Sequence, residues 1–257
     1  MNKHGLRRKP SSPIARQLRQ ESGFGCAICG DGLIEYAHLD PPYEEAKVHD
    51  PKKMVVLCSS CHARIDKKRW PISMAWNAKE DPKAVQVGYV SERLGFSMPI
   101  CVSLGNNIFR NTYCIVKTMD GDEWFTIEPP EEGSSIPRIS AKFYDVDGNV
   151  TLEIIRNEWI CSTSAWDAEF PADRIIIRYR KNKIALQLKL QAPHEILLER
   201  LDMNLFDTGI KIDAGKRLYI RHNGKTKIFH GNVVNSSDTV FLIPSVSSEK
   251  ASRGEWH

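Results

Sequence analysis

No stretch of this chain approaches the roughly 18–20 uninterrupted apolar residues that a membrane span requires, and the opening Met1-Asn2-Lys3-His4-Gly5-Leu6-Arg7-Arg8 has no apolar signal core. A soluble, cytoplasmic protein without membrane contact is therefore expected. A disulfide framework is also missing. Seven cysteines are an odd number, and Cys101, Cys114 and Cys161 sit in or beside apolar runs, where reduced, buried thiols are expected. A large excess of one charge sign is lacking, with 36 Lys and Arg against 32 Asp and Glu, so the net +4 alone names no polyanionic partner. The 41% hydrophobic content still suffices for one large or two ordinary cores.

What is present is concentrated at one end. Residues 1–95 hold sixteen basic side chains against eleven acidic ones, and the rest is nearly balanced. Lys3, Arg7, Arg8, Lys9, Arg16 and Arg19 all precede Glu21, the first acid. Such a run reads either as a solvated tail or as contacts to a phosphate backbone, which add affinity without sequence choice. Lys52, Lys53, Arg64, Lys67, Lys68 and Arg69 extend it.

Behind the basic leader come two close thiol pairs, Cys26-x2-Cys29 and Cys58-x2-Cys61. Four thiolates so spaced suit a tetrahedral Zn2+ with no open position, hence a metal that staples a fold and does not activate water. Between the pairs lies Glu35-Tyr36-Ala37-His38-Leu39-Asp40-Pro41. Met54-Val55-Val56-Leu57 leads into the second pair, followed by His62-Ala63-Arg64-Ile65-Asp66.

From about Pro10 to Trp76 this combination resembles the HNH nuclease family. The resemblance implies a ββα-metal fold, a β-hairpin followed by a helix, with a structural zinc in the two CxxC pairs. It makes His38 the general base and His62 a ligand of a separate catalytic divalent ion, Mg2+ or Mn2+. A neutral imidazole suits the base because its ordinary pKa lies near 6.5. Asp66, four residues after His62, would share its helical face and could join it on that ion, or could instead pair locally with Lys67 or Arg69. Two positions depart from the family pattern. Ala37 stands where many members carry a ligand, and Lys53 replaces the asparagine that orients the base; Asp40 and Asp50 are the nearest acids.

The expected fold class is α+β: a small N-terminal zinc-stapled ββα-metal module followed by a mainly β C-terminal domain. The expected boundaries are 1–12 as a flexible basic leader, 13–95 as the nuclease module, 96–244 as a β-rich domain, and 245–257 as a flexible tail. Within the module, helices are expected over 14–22, 60–68, 73–79 and 81–94, and strands over 33–39 and 54–57. Beyond Gly95, the turn dipeptides Asp120-Gly121, Asp147-Gly148 and Asn223-Gly224 separate β-rich runs such as Val150–Ile155 and the alternating Ile184, Leu186, Leu188 and Leu190. Trp159 and Trp166 read as core anchors or as a recognition surface.

The leading functional expectation is a metal-dependent endonuclease of double-stranded DNA. Its nucleic-acid contacts would be Arg7, Arg8, Lys9, Arg16, Arg19, Lys53, Arg64, Lys67 and Lys68. The alternatives are a zinc-stapled nucleic-acid-binding module without cleavage, and an adaptor whose β domain binds a partner protein or a second copy.

Overall fold

The computed structural model describes residues 1–119, 121–205 and 207–243. Asp120 of the first turn dipeptide, Pro244 and the expected tail 245–257 lie outside these residues. The described chain forms two compact units, Met1–Glu92 together with Cys161–Ala172, and Arg93–Ile160 together with the described residues from Asp173 to Ile243. No described helix is long and apolar enough to cross a membrane.

The first unit is built on a hairpin. Strand β1 (Ile34–His38) pairs antiparallel with β2 (Met54–Cys58), Ile34 opposite Cys58 and His38 opposite Met54. All five residues of β2 are buried, which explains its unbroken apolar run, since both faces are covered. Leu18 of helix α1 (Ser12–Glu21) packs with Met54 and Val56, and Ile34 and Tyr36 lie against this cluster. Val55 and Leu57 face the other way, into a core with Ala27, Ala37, Leu39, Cys26, Cys58, Cys61 and Ala75. Helix α2 (Ser59–Asp66) follows β2 without a spacer, and α3 (Ile72–Glu80) brings Ala75 to the same core.

Two sequence expectations need correction here. The leader has no regular structure before α1, yet it is tied down. Asn2 Nδ2 donates to the carbonyls of Tyr43 and Ala46 at 2.6 and 2.7 Å, the Tyr43 hydroxyl donates to the Leu6 carbonyl, and Arg8 lies over the Tyr43 ring. Side-chain hydrogen bonds to backbone, which composition does not display, hold it against the loop between the strands. Nor does one helix cover 81–94. Helix α4 (Lys83–Val87) stops at Gly88, whose φ of +84° lies in the left-handed region that favours glycine, and Tyr89–Arg93 is a strand.

The segment Cys161–Ala172, expected in the β domain, belongs to the first unit. Thr163 donates its backbone N–H to the Gly88 carbonyl, Gln20 donates to the Trp166 carbonyl, and the short strand Asp167–Glu169 supplies a buried acid to α1.

The second unit is β-rich, as the turn dipeptides and alternating apolar runs implied. One sheet runs Thr239–Ile243, Cys114–Thr118, Glu123–Glu128, Arg138–Tyr144 and Val150–Ile155, parallel at the first pair and antiparallel after it. The other passes antiparallel through Arg174–Arg180, Lys183–Gln191, Glu195–Leu205, Thr208–Ile212, Leu218–His222 and Lys225–Phe229. Asn223 and Gly224 join its last two strands with φ of 47° and 72°, the backbone that a two-residue primed hairpin turn demands. Trp159 is 2% exposed, a core anchor. All seven cysteines are free, with Cys114 and Cys161 buried.

Candidate functional site

Cys26, Cys29, Cys58 and Cys61 come together with their sulfurs all within 4.8 Å of one another. The Cys29 and Cys58 sulfurs are 3.7 Å apart, close to the ~3.8 Å edge of a tetrahedron with Zn–S bonds of about 2.3 Å. This cluster can hold a structural metal such as zinc. The first knuckle depends on Gly25, where a Cβ would come within 2.7 Å of the Gly30 carbonyl oxygen. The second is set by the start of α2, where the Cys61 N–H donates to the Cys58 sulfur at 3.4 Å. Burial pushes the Cys29 thiol up to about 12 and raises Cys61 as well. Burial is the largest single influence on Cys58 and raises it, but the hydrogen bonds from the Cys61 N–H and from the Cys61, Cys29 and Cys26 side chains together outweigh it and hold Cys58 below the ordinary thiol value. Cys29 and Cys61 thus favour the protonated form until a cation displaces the protons. Among the described residues this is the one group of three or more Cys, His, Asp or Glu ligand atoms that converges.

His62 projects from the first turns of α2, immediately after the cluster. Its Nδ1 lies 2.9 Å from Glu35 Oε2, and its Nε2 lies 3.6 Å from Asp66 Oδ2, one helical turn further on. Glu35 reaches it from β1, where alternation puts Glu35 on the same face as Ala37. The ring is therefore flanked by two carboxylates, one of which sequence reasoning had given no role. The period-2 relation of Glu35 to Ala37 was the signal available for it. Glu35, His62, Arg8, Lys9, Arg19, Tyr36, Glu169 and Phe170 line a cavity of about 440 Å³.

His38 occupies a different cavity, about 320 Å³, with Asp40, Pro41, Glu45, Lys47, Asp50 and Lys53. It is one residue on from Ala37 and so faces away from the core that Ala37 joins. Its Nε2 lies 3.0 Å from His49 Nδ1, and His49 Nε2 lies 2.9 Å from the Arg7 carbonyl oxygen. Tyr43 packs beside the ring with centroids 5.8 Å apart. Burial, followed by the charge of His49, holds His38 below the ordinary histidine value. Of the acids named as possible replacements for the motif asparagine, Asp50 caps the 3-10 turn Pro51–Lys53 by accepting the Lys52 N–H. Asp40 lines the cavity. His49, in the loop between the strands, has no ligand or motif spacing that would mark it in the sequence.

The basic residues divide by environment. Arg8 and Lys9 are exposed and border the His62 cavity, and Lys53 borders the His38 cavity. Arg7, Arg64, Lys67 and Lys68 are exposed, Arg64 lying over the Trp70 ring at 4.8 Å. Arg16 stacks on Trp166 at 4.6 Å and reaches Asp167 at 3.4 Å. Arg19 is only 5% exposed and donates to both Asp167 oxygens and to the Tyr36 hydroxyl. Its charge is met inside the fold, so Arg19 is a structural residue and not the nucleic-acid contact that its place in the basic run suggested. No family model matches the chain, and no curated protein or solved structure is significantly similar to it.

Proposed function

We propose that the first unit is an HNH-type, metal-dependent endonuclease acting on double-stranded DNA. The observation that carries this reading is the placement of His62 between Glu35 and Asp66. With the ring neutral and Nδ1–H donated to Glu35, the Nε2 lone pair faces an Asp66 oxygen 3.6 Å away. Two electron-rich atoms that face one another suit a shared cation, and a small side-chain movement would close this gap to the ~3.0 Å between neighbouring ligands of an octahedral ion with bonds of about 2.1 Å. A ligating histidine that gives its other N–H to a carboxylate is the usual arrangement around protein-bound metals.

One nitrogen and one carboxylate leave most of a six-coordinate shell for water and phosphate, which fits Mg2+ or Mn2+. Such an ion would neutralise charge on the phosphate and on the leaving oxygen. The chain's own residues supply the rest. Arg8 and Lys9, at the rim of the same cavity, offer cations to the strand, and Arg64, Lys67 and Lys68 offer more along and after α2. On this reading one phosphate must reach from the His62 cavity to the His38 cavity; His38 would then take the proton of the attacking water as its oxygen bonds to phosphorus, the bond to the leaving oxygen would break, and that oxygen would be protonated from solvent.

A second reading is favoured by one observation, that His38 and His62 line separate cavities and Lys53 borders the former. On this reading the module binds nucleic acid through a zinc-stapled frame and does not cut.

Supercoiled plasmid incubated with the zinc-loaded protein and Mn2+ separates the two. Nicking that is lost in His62→Ala and in His38→Ala is the expected result. Salt-sensitive binding with no nicking under any divalent ion would replace the nuclease reading with the second one.

A further inference from the structure

The position that the HNH pattern gives to an asparagine is Lys53 here, and the ring of His38 is held by something else. A backbone carbonyl can only accept a hydrogen bond, so the 2.9 Å contact with the Arg7 oxygen places the proton of a neutral His49 on Nε2. Its Nδ1 is then a lone pair, 3.0 Å from His38 Nε2. That atom must be the donor, and with both rings neutral the proton of His38 therefore sits on Nε2 as well.

We propose that His49 is the positioning residue of the site: it orients His38 through a chain from the Arg7 carbonyl to His49 to His38, and leaves Nδ1 as the basic nitrogen. The inference rests on the reading of His38 as general base. It gives the docked leader a task, because Asn2 and Tyr43 fasten residues 2–6 to the loop that carries His49, and Arg7 supplies the terminal acceptor. The arrangement also survives the proton transfer. When a water gives its proton to His38 Nδ1, both ring nitrogens carry hydrogens, and the Nε2–H donated to His49 is unchanged. Orientation and tautomer are thus held before and after the step, the task that a carboxylate performs for the histidine of a serine protease.

The test uses the full-length, zinc-loaded chain labelled with 15N on histidine. Long-range 1H–15N spectra at a pH where the rings are neutral should show His38 as the Nε2–H tautomer in the parent protein and as a mixture in His49→Leu. In steady-state cleavage, His49→Leu should lower kcat by about 10–100-fold with little change in KM, part of the ~10²–10⁴-fold that a general base contributes. His49→Gln, which keeps a side-chain acceptor, should recover much of that loss. An Nδ1–H tautomer for His38 in the parent, or a tautomer indifferent to His49→Leu, would overturn the relay. Absence of cleavage alongside the expected tautomers would remove the nuclease reading while leaving the hydrogen-bonded chain in place.

Discussion

Arg19 and Asp167, 148 positions apart, form a buried bidentate ion pair, with Arg19 Nη2 at 2.8 and 2.9 Å from the two carboxylate oxygens and Nε at 3.0 Å from one. Burial alone would lower the guanidinium's pKa, but Tyr36, Glu169 and Asp167 together hold it above the usual arginine value. The pair ties α1 to a segment that re-enters the first unit after an excursion of some seventy residues.

Removing one partner of such a pair leaves an uncompensated charge in the interior, which costs about 3–5 kcal/mol. Asp167→Ala is therefore expected to lower the unfolding free energy of the first unit by that order, read by urea titration followed at a tryptophan of α3. Replacing both partners, as in Arg19→Met with Asp167→Leu, should restore much of the loss. The same relation predicts that a fragment ending at residue 95 is far less stable than the whole chain.

The four-thiolate cluster makes a separate prediction. The hairpin and α2 are joined through Cys58 and Cys61, and their shared core is small. A structural zinc in such a module contributes folding free energy directly. One equivalent of Zn2+ per chain is expected, and its removal by a strong chelator should melt α2, seen as lost helical circular dichroism. Cys61→Ser should not bind the ion stoichiometrically.

These two cases show where the sequence was and was not legible. The four-cysteine cluster, β1, β2 and α2 are local features, written in spacing and apolar runs within some forty residues; the cysteines converge as their spacing implied, and the three elements fall within a residue or two of expectation. The Asn223-Gly224 turn was similarly readable, because its backbone needs positive φ at both positions. Asp167 was not, since a buried carboxylate looks like any surface acid until its partner is known, and that partner lies at the other end of the first unit. His49 was hidden for a related reason. Its role follows from which atoms of a folded loop reach His38 and the Arg7 carbonyl, which no periodicity records.

Glu35 and Asp66 flank the same imidazole but should fail differently. Asp66→Ala removes an oxygen from the proposed ion and is expected to raise the Mn2+ concentration needed for half-maximal cleavage and to lower the rate at saturation. Glu35→Gln keeps an acceptor for His62 Nδ1–H and should cost only metal affinity, by about 10–100-fold, the usual effect of a partner behind a ligand. Metal-dependence curves for the two variants that coincide with the parent would remove the ion from this place.

Lowering the pH tests the surroundings of His38. Burial, and then the charge of His49, hold its pKa below the ordinary histidine value, so between that depressed value and about 6.5 the unfolded chain binds more protons than the folded one. Stability associated with this ring is accordingly complete above the unfolded value and is lost as the pH falls through the folded one. Activity should follow the same sign: the base stays neutral to lower pH, and the acid limb of kcat/KM should lie below that of an unperturbed histidine. Tyr43, Asp40, Glu45, Lys47, Asp50 and Lys53 surround the ring in both the parent and His49→Leu, so a comparison of the two isolates His49. In His49→Leu the loss of that charge should move the limb upward and the loss of the acceptor for Nε2–H should move it downward, so the sign of the shift, in a profile taken at saturating Mn2+ and constant ionic strength, shows which contribution of His49 prevails. A limb that stays in place would mean that His49 makes no net contribution and that burial sets the basicity of His38.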